Sequence, residues 1–129
     1  MSDIGLYFAH ENARSSQSEM ISDGVRALTN GGFLLAAAPT GIGKTAAALA
    51  SALHSSFDNH ISPDRANIIF MTGRQTQHKI VVDTVRKINS RIPDGVPKIS
   101  LVDIIGRDGM CDHVDKMTGK CDCEDGVVE

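Results

Sequence analysis

Aromatic side chains are scarce in this sequence: 4% of 129 residues, with one tyrosine, four phenylalanines and no tryptophan. Its core must therefore be built from Ile, Val, Leu, Met and Ala. No apolar run approaches the roughly 18 residues needed to cross a bilayer. Met1-Ser2-Asp3-Ile4 has neither the basic start nor the apolar stretch of a secretion signal. The expectation is a soluble intracellular protein without a membrane partner, cytoplasmic, or nuclear in a eukaryote. Cysteine is limited to three residues, an odd number that argues against a disulfide framework and towards free thiols or metal. No internal repeat is visible. A net charge of −3 carries no global signature of nucleic-acid binding.

Charge is unevenly spread. From Arg74 to Lys98 six basic residues stand against two acidic ones; from Asp108 to Glu129 two stand against seven. Such runs usually form solvated faces. Apolar spacing supplies the elements. Ser16-Gln17-Ser18-Glu19 has capping-box spacing, Met20, Ile21, Val25 and Leu28 share one helical face, and Asn30-Gly31-Gly32 is a stop. A second helix is expected from Lys44 to about His54, before a polar connection from Ser55 to Asn67. A third is expected from about Thr76 to Ser90, with Ile80, Val81, Val85 and Ile88 as its apolar side. Pro93 to Pro97 reads as a turn. The runs Phe33–Ala38, Ile68–Met71 and Ile99–Ile105 read as strands. Strands alternating with helices predict an α/β fold with a parallel, doubly wound sheet.

The most informative stretch joins the first of those runs to the second helix. Ala38-Pro39-Thr40-Gly41-Ile42-Gly43-Lys44-Thr45 approaches the phosphate-binding pattern G-x-x-x-x-G-K-[ST], with Ala38 in place of the first glycine. Gly41 and Gly43 leave the backbone free to curl until successive N–H groups converge on one anion. The helix start adds unpaired N–H groups and a positive dipole end. In this pattern Lys44 reaches the β- and γ-phosphates and the Thr45 hydroxyl ligates Mg2+. A nucleoside triphosphate, ATP with Mg2+, is the expected ligand of residues 38–45. The bland reading is a glycine-rich turn with an exposed lysine.

Four segments together resemble the start of an XPD-type (DinG-like) iron–sulfur helicase of superfamily 2. These are Phe8 to Gln17, with Arg14 and Gln17 three apart before a helix, and Ala38 to Thr45, close to the family's APTGxGKT form. Ile68 to Gln77 is similar to its motif Ia, and Gly106-Arg107-Asp108-Gly109-Met110-Cys111 to the Arg-x-x-x-Cys that opens its cluster domain. The resemblance implies a P-loop NTPase (RecA-like) parallel sheet with flanking helices, incomplete here. Residues 1–105 would be the N-terminal part of a helicase ATP-binding domain, and 106–129 the irregular start of an iron–sulfur segment. It implies ATP-dependent DNA unwinding with 5′-to-3′ polarity, and adenine recognition by Gln17. Thr72 to Gln77 and the basic helix after it would contact single-stranded DNA beside a duplex. Cys111, Cys121 and Cys123 would ligate a 4Fe–4S cluster, with Arg107 beside it.

The sequence departs from that family in having three cysteines rather than four ligands, and no Asp-Glu-x-His box. Hydrolysis by the chain alone is therefore expected to be negligible. The cysteines with His113 also fit a Cys3His zinc site, or three solvated thiols. A small complete P-loop ATPase or kinase, with Asp103 as its Mg2+ carboxylate, is a further reading, against which Ile104 stands where an ATPase usually has Glu. A nucleotide-binding module without turnover is another.

Overall fold

The computed structural model describes residues 6–58 and 67–119. Three helices, α1 (Ser15–Thr29), α2 (Lys44–Asp58) and α3 (Gln75–Arg91), carry the structure, followed by a single turn, α4 (Arg107–Met110).

Helix α1 begins with Arg14 in extended backbone as its N-cap. The Arg14 carbonyl accepts the N–H groups of Gln17 and Ser18 at 2.9 Å each. Gln17 Oε1 in turn accepts the Arg14 N–H at 3.0 Å. The capping interaction expected of Ser16 and Glu19 is thus made two residues earlier, with glutamine closing it. At the other end Gly31 enters the left-handed region (φ 68). The Gly32 N–H then returns to the Ala27 carbonyl at 2.8 Å, which ends the helix at the expected place.

Helix α2 lies between the other two and supplies both halves of the core. One cluster joins Phe8, Ile21, Ala46, Ala47 and Ala50; the other joins Ala9, Leu49, Leu53, Val81, Val85, Ile88 and Ile92. Small residues let α1 and α2 approach closely. A Cβ built on Gly24 would stand 2.6 Å from Ser51 Oγ, and that hydroxyl donates to the Ala47 carbonyl at 2.9 Å. Burial on α2 continues past His54 to Ser55, so the helix extends to Asp58 rather than stopping where the sequence turns polar. In α3 the buried side chains are Val81, Val85 and Ile88, while Ile80, expected with them, faces outward. The turn at Pro93 forms as expected, the Val96 N–H meeting the Pro93 carbonyl at 3.3 Å and Gly95 taking a φ of 91.

The sheet is not there. Apart from an isolated bridge residue at Val114, no strand occurs among the described residues. Residues 33–38, 68–71 and 99–105 lie outside helices, and no backbone hydrogen bond joins any of these segments to another. The parallel, RecA-like sheet expected from alternating elements is overturned by this arrangement. The physical reason lies in what an apolar run specifies. It calls for burial, but a strand also needs a neighbour's N–H and C=O groups at ladder distance. Residues 68–72 and 101–104 line one groove of about 530 Å³ together with His78, Val81 and Val82, with no backbone hydrogen bond between them. Burial on both faces fails as well. Leu34, Ile68, Phe70 and Leu101 are 38–43% exposed, whereas Phe33, Leu35, Ile69, Met71, Val102 and Ile104 are 76–94% exposed. The period of two survives in this alternation, with one set of side chains turned inward and the other left uncovered.

Candidate functional site: the glycine loop at the start of α2

Residues 38–43 lead directly into α2, whose first helical bond runs from the Ala47 N–H to the Gly43 carbonyl at 3.1 Å. The N–H groups of the helix's opening residues precede that bond and have no intrahelical acceptor. No acidic residue lies in the first turn to neutralise the dipole. Gly41 (φ 85) and Gly43 (φ 83) both occupy the left-handed region, which a residue with a Cβ enters at a cost of roughly 1–2 kcal/mol. Nothing lies within 4 Å of where a Cβ would stand on Gly41, so that side of the loop is open. At Gly43 a Cβ would collide with the Gln17 amide nitrogen.

Two cations converge on this loop. The Lys44 ammonium donates to the carbonyls of Ala38 at 2.9 Å and Pro39 at 2.8 Å, drawing the loop's ends together. The Arg14 guanidinium, carried by the cap of α1, donates to the Gly41 carbonyl at 3.1 Å. Gln17 is 5% exposed; it is neither a solvated residue nor an open amide edge, since its oxygen holds the Arg14 N–H and its nitrogen lies against Gly43. Thr45 is half-buried in the first turn of α2, Thr40 precedes the first glycine, and Ile42 lies between the two. With two positive side chains, left-handed glycines and a helix start in one place, the site has the chemistry of a polyphosphate cradle. The residues present fit a Mg2+-bound triphosphate. Lys44 would hold its phosphates and Thr45 its metal, and the bound metal would supply charge neutralisation across the phosphate oxygens.

No family model, curated protein or solved structure matches this chain. The site must stand on its own geometry.

The other sequence-marked residues are placed elsewhere. Asp103 Oδ1 lies 2.7 Å from His78 Nδ1, linking residues 99–105 to α3. Beside that pair is a hollow of about 360 Å³ lined by Gln75, Lys79, Asp83, Arg86 and Ile105. None of its lining residues comes from the 38–45 loop, so Asp103 and Lys44 are not brought into one pocket. Neither this hollow nor the groove beside residues 68–72 and 101–104 is lined by any residue of the glycine loop. Cys111 is half-buried and its sulfur accepts the His113 N–H at 3.4 Å. Cys121 and Cys123 lie outside the described residues, and among those described no group of His, Cys, Asp or Glu is arranged to hold a metal. No described helix is long and apolar enough to cross a membrane.

Sequence reasoning missed what Arg14 and His78 do. The Arg14–Gln17 spacing of three was visible, and it places both residues on one side of a helix start. Nothing in the sequence pointed from Arg14 to the carbonyl of Gly41, 27 positions away.

Proposed function

We propose that the chain binds ATP–Mg2+ at residues 38–45 and forms the nucleotide-binding part of an ATP-driven, DNA-translocating enzyme. The observation that carries the first half is the loop itself. Gly41 and Gly43 take left-handed backbone immediately before a 15-residue helix with no acidic residue in its first turn, and the Lys44 ammonium is held at the loop. The second half rests on the four-segment resemblance to iron–sulfur helicases. The exposed basic residues along α3, including Lys79, Arg86 and Lys87, suit a phosphodiester backbone, where binding is salt-dependent and indifferent to sequence. Asp103 is engaged with His78, which weighs against a compact enzyme that uses it on Mg2+. Turnover by the chain alone is expected to be negligible, because among the described residues no carboxylate lies in the first turn of α2 and Asp103 is engaged elsewhere, leaving no base at the loop to orient water.

Isothermal titration of ATP–Mg2+ into the wild-type chain and into Lys44→Ala tests the reading. Removing a charge-assisted contact to phosphate is expected to weaken binding by at least tenfold, from the ~1.5–3 kcal/mol such contacts contribute. Equal affinities, or no binding by the wild type, would remove the assignment.

A further inference from the structure

We propose that Arg14 is a positioning residue that locks the phosphate-binding loop in its anion-receiving shape; this rests on the nucleotide-binding reading above. Gly41 sits at φ 85 with no neighbour within 4 Å of its missing Cβ. Glycine visits positive and negative φ with similar ease, so local sterics do not fix this residue where it is, and nothing packs where its Cβ would stand. What holds it is the Arg14 guanidinium, which donates to its carbonyl at 3.1 Å. A trans peptide is planar, with its C=O and following N–H pointing in opposite directions. Fixing the Gly41 carbonyl towards α1 therefore fixes the Ile42 N–H towards the opposite side of the loop. That N–H is one of the donors a phosphate cradle requires.

The clamp is itself anchored. The Arg14 backbone N–H is held by Gln17 Oε1, and Gln17 is buried with its nitrogen against Gly43. One cap thus addresses both left-handed glycines of the loop, Arg14 through a hydrogen bond and Gln17 through packing. Without the guanidinium the Gly41–Ile42 peptide is free to turn over. If the receiving shape then falls to between a third and a tenth of the population, apparent affinity falls about threefold to tenfold.

The test compares R14A, R14M and R14K with the wild-type chain, using titration with ATP–Mg2+ and, separately, with inorganic tripolyphosphate–Mg2+. R14M keeps an aliphatic stem without a donor; R14K keeps a donor on a stem nearly as long as that of arginine. Affinity for both probes should fall about threefold to tenfold in R14A and R14M and return to within about twofold of wild type in R14K. Circular-dichroism melts of each variant serve as the fold control, and the R14M–R14K comparison stays decisive if R14A melts early. Unchanged affinity in R14M overturns the inference. A loss confined to ATP, with tripolyphosphate unaffected, overturns it too, because Arg14 then reads the base. So does a loss in R14M that disappears at high salt, since long-range charge rather than the carbonyl bond is then responsible. A wild type that binds neither probe defeats the nucleotide reading and this inference together, whereas a wild type that binds beside an indifferent R14M defeats this inference alone.

Discussion

Gly24→Ala is the sharpest probe of the helix packing that supports the loop. In an isolated helix the change is favourable, because alanine exceeds glycine by about 1 kcal/mol in helix propensity. Here the new Cβ would stand 2.6 Å from Ser51 Oγ and 2.8 Å from Ser51 Cβ. Those distances are far inside van der Waals contact, and Ser51 cannot swing clear, because both its Oγ and its Cβ are met and the Cβ moves only with the α2 backbone. The helices must separate, loosening the Phe8, Ile21, Ala47 and Ala50 cluster between them. Overpacking of this kind typically costs about 1–3 kcal/mol. After the propensity gain, a net loss of up to about 2 kcal/mol remains. For a domain of this size that lowers the melting midpoint by roughly 3–5 °C per kcal/mol. The assay is thermal unfolding followed at 222 nm, with two companions. Gly73→Ala, where nothing lies within 4 Å, is expected to leave the midpoint unchanged. Ser51→Gly added to Gly24→Ala removes both clashing atoms and should recover part of the loss. A Gly24→Ala variant that shows the full propensity gain of about 1 kcal/mol, with no cost from the clash, would refute the α1–α2 register and with it the placement of Arg14 beside the loop.

The uncovered apolar side chains lead to a second expectation. Replacing Phe33, Leu35, Ile69 and Met71 with Thr or Ser should reduce binding of a hydrophobic dye and self-association while leaving the melting midpoint within about 1 °C, because these residues are 84–94% exposed; a large fall in midpoint would show that they are covered. A third concerns Asp115. Its carboxylate accepts the Met117 N–H at 2.9 Å and the Thr118 hydroxyl at 2.7 Å, and these bonds hold its pKa below the ordinary aspartate value. A depressed folded-state pKa means that the carboxylate's support of this turn is present above the unfolded pKa and is lost as pH falls through the folded one. Titration of the Asp115 carboxyl by NMR should show the lowered value, and Thr118→Ala should move it upward; an unmoved midpoint would refute the hydroxyl's part.

The sequence by itself determined the helices and the loop. Periodic apolar residues and strong local signals suffice there, because a helix satisfies its own backbone groups. Asn30-Gly31-Gly32 ended α1 where expected, and Gly41 and Gly43 took the left-handed backbone that only glycine adopts without cost. Boundaries drifted where tertiary contacts decided them. Arg14 took over the cap of α1 from Ser16, closed by Gln17 in place of Glu19, where Gln17 is buried beside Gly43, and α2 ran to Asp58 because its polar residues His54 and Ser55 are buried too. Tertiary structure alone decided the fate of Phe33–Ala38, Ile68–Met71 and Ile99–Ile105. Their composition demanded burial, but a ladder needs a partner at hydrogen-bonding distance, and no backbone hydrogen bond joins one of these segments to another. The same distinction governs the site. Local sequence shaped the curl of residues 38–45, because glycine freedom and a helix start are local properties. That Arg14 reaches the Gly41 carbonyl, and Asp103 reaches His78 instead of the loop, depends on how distant segments pack, and no spacing along the chain encodes it.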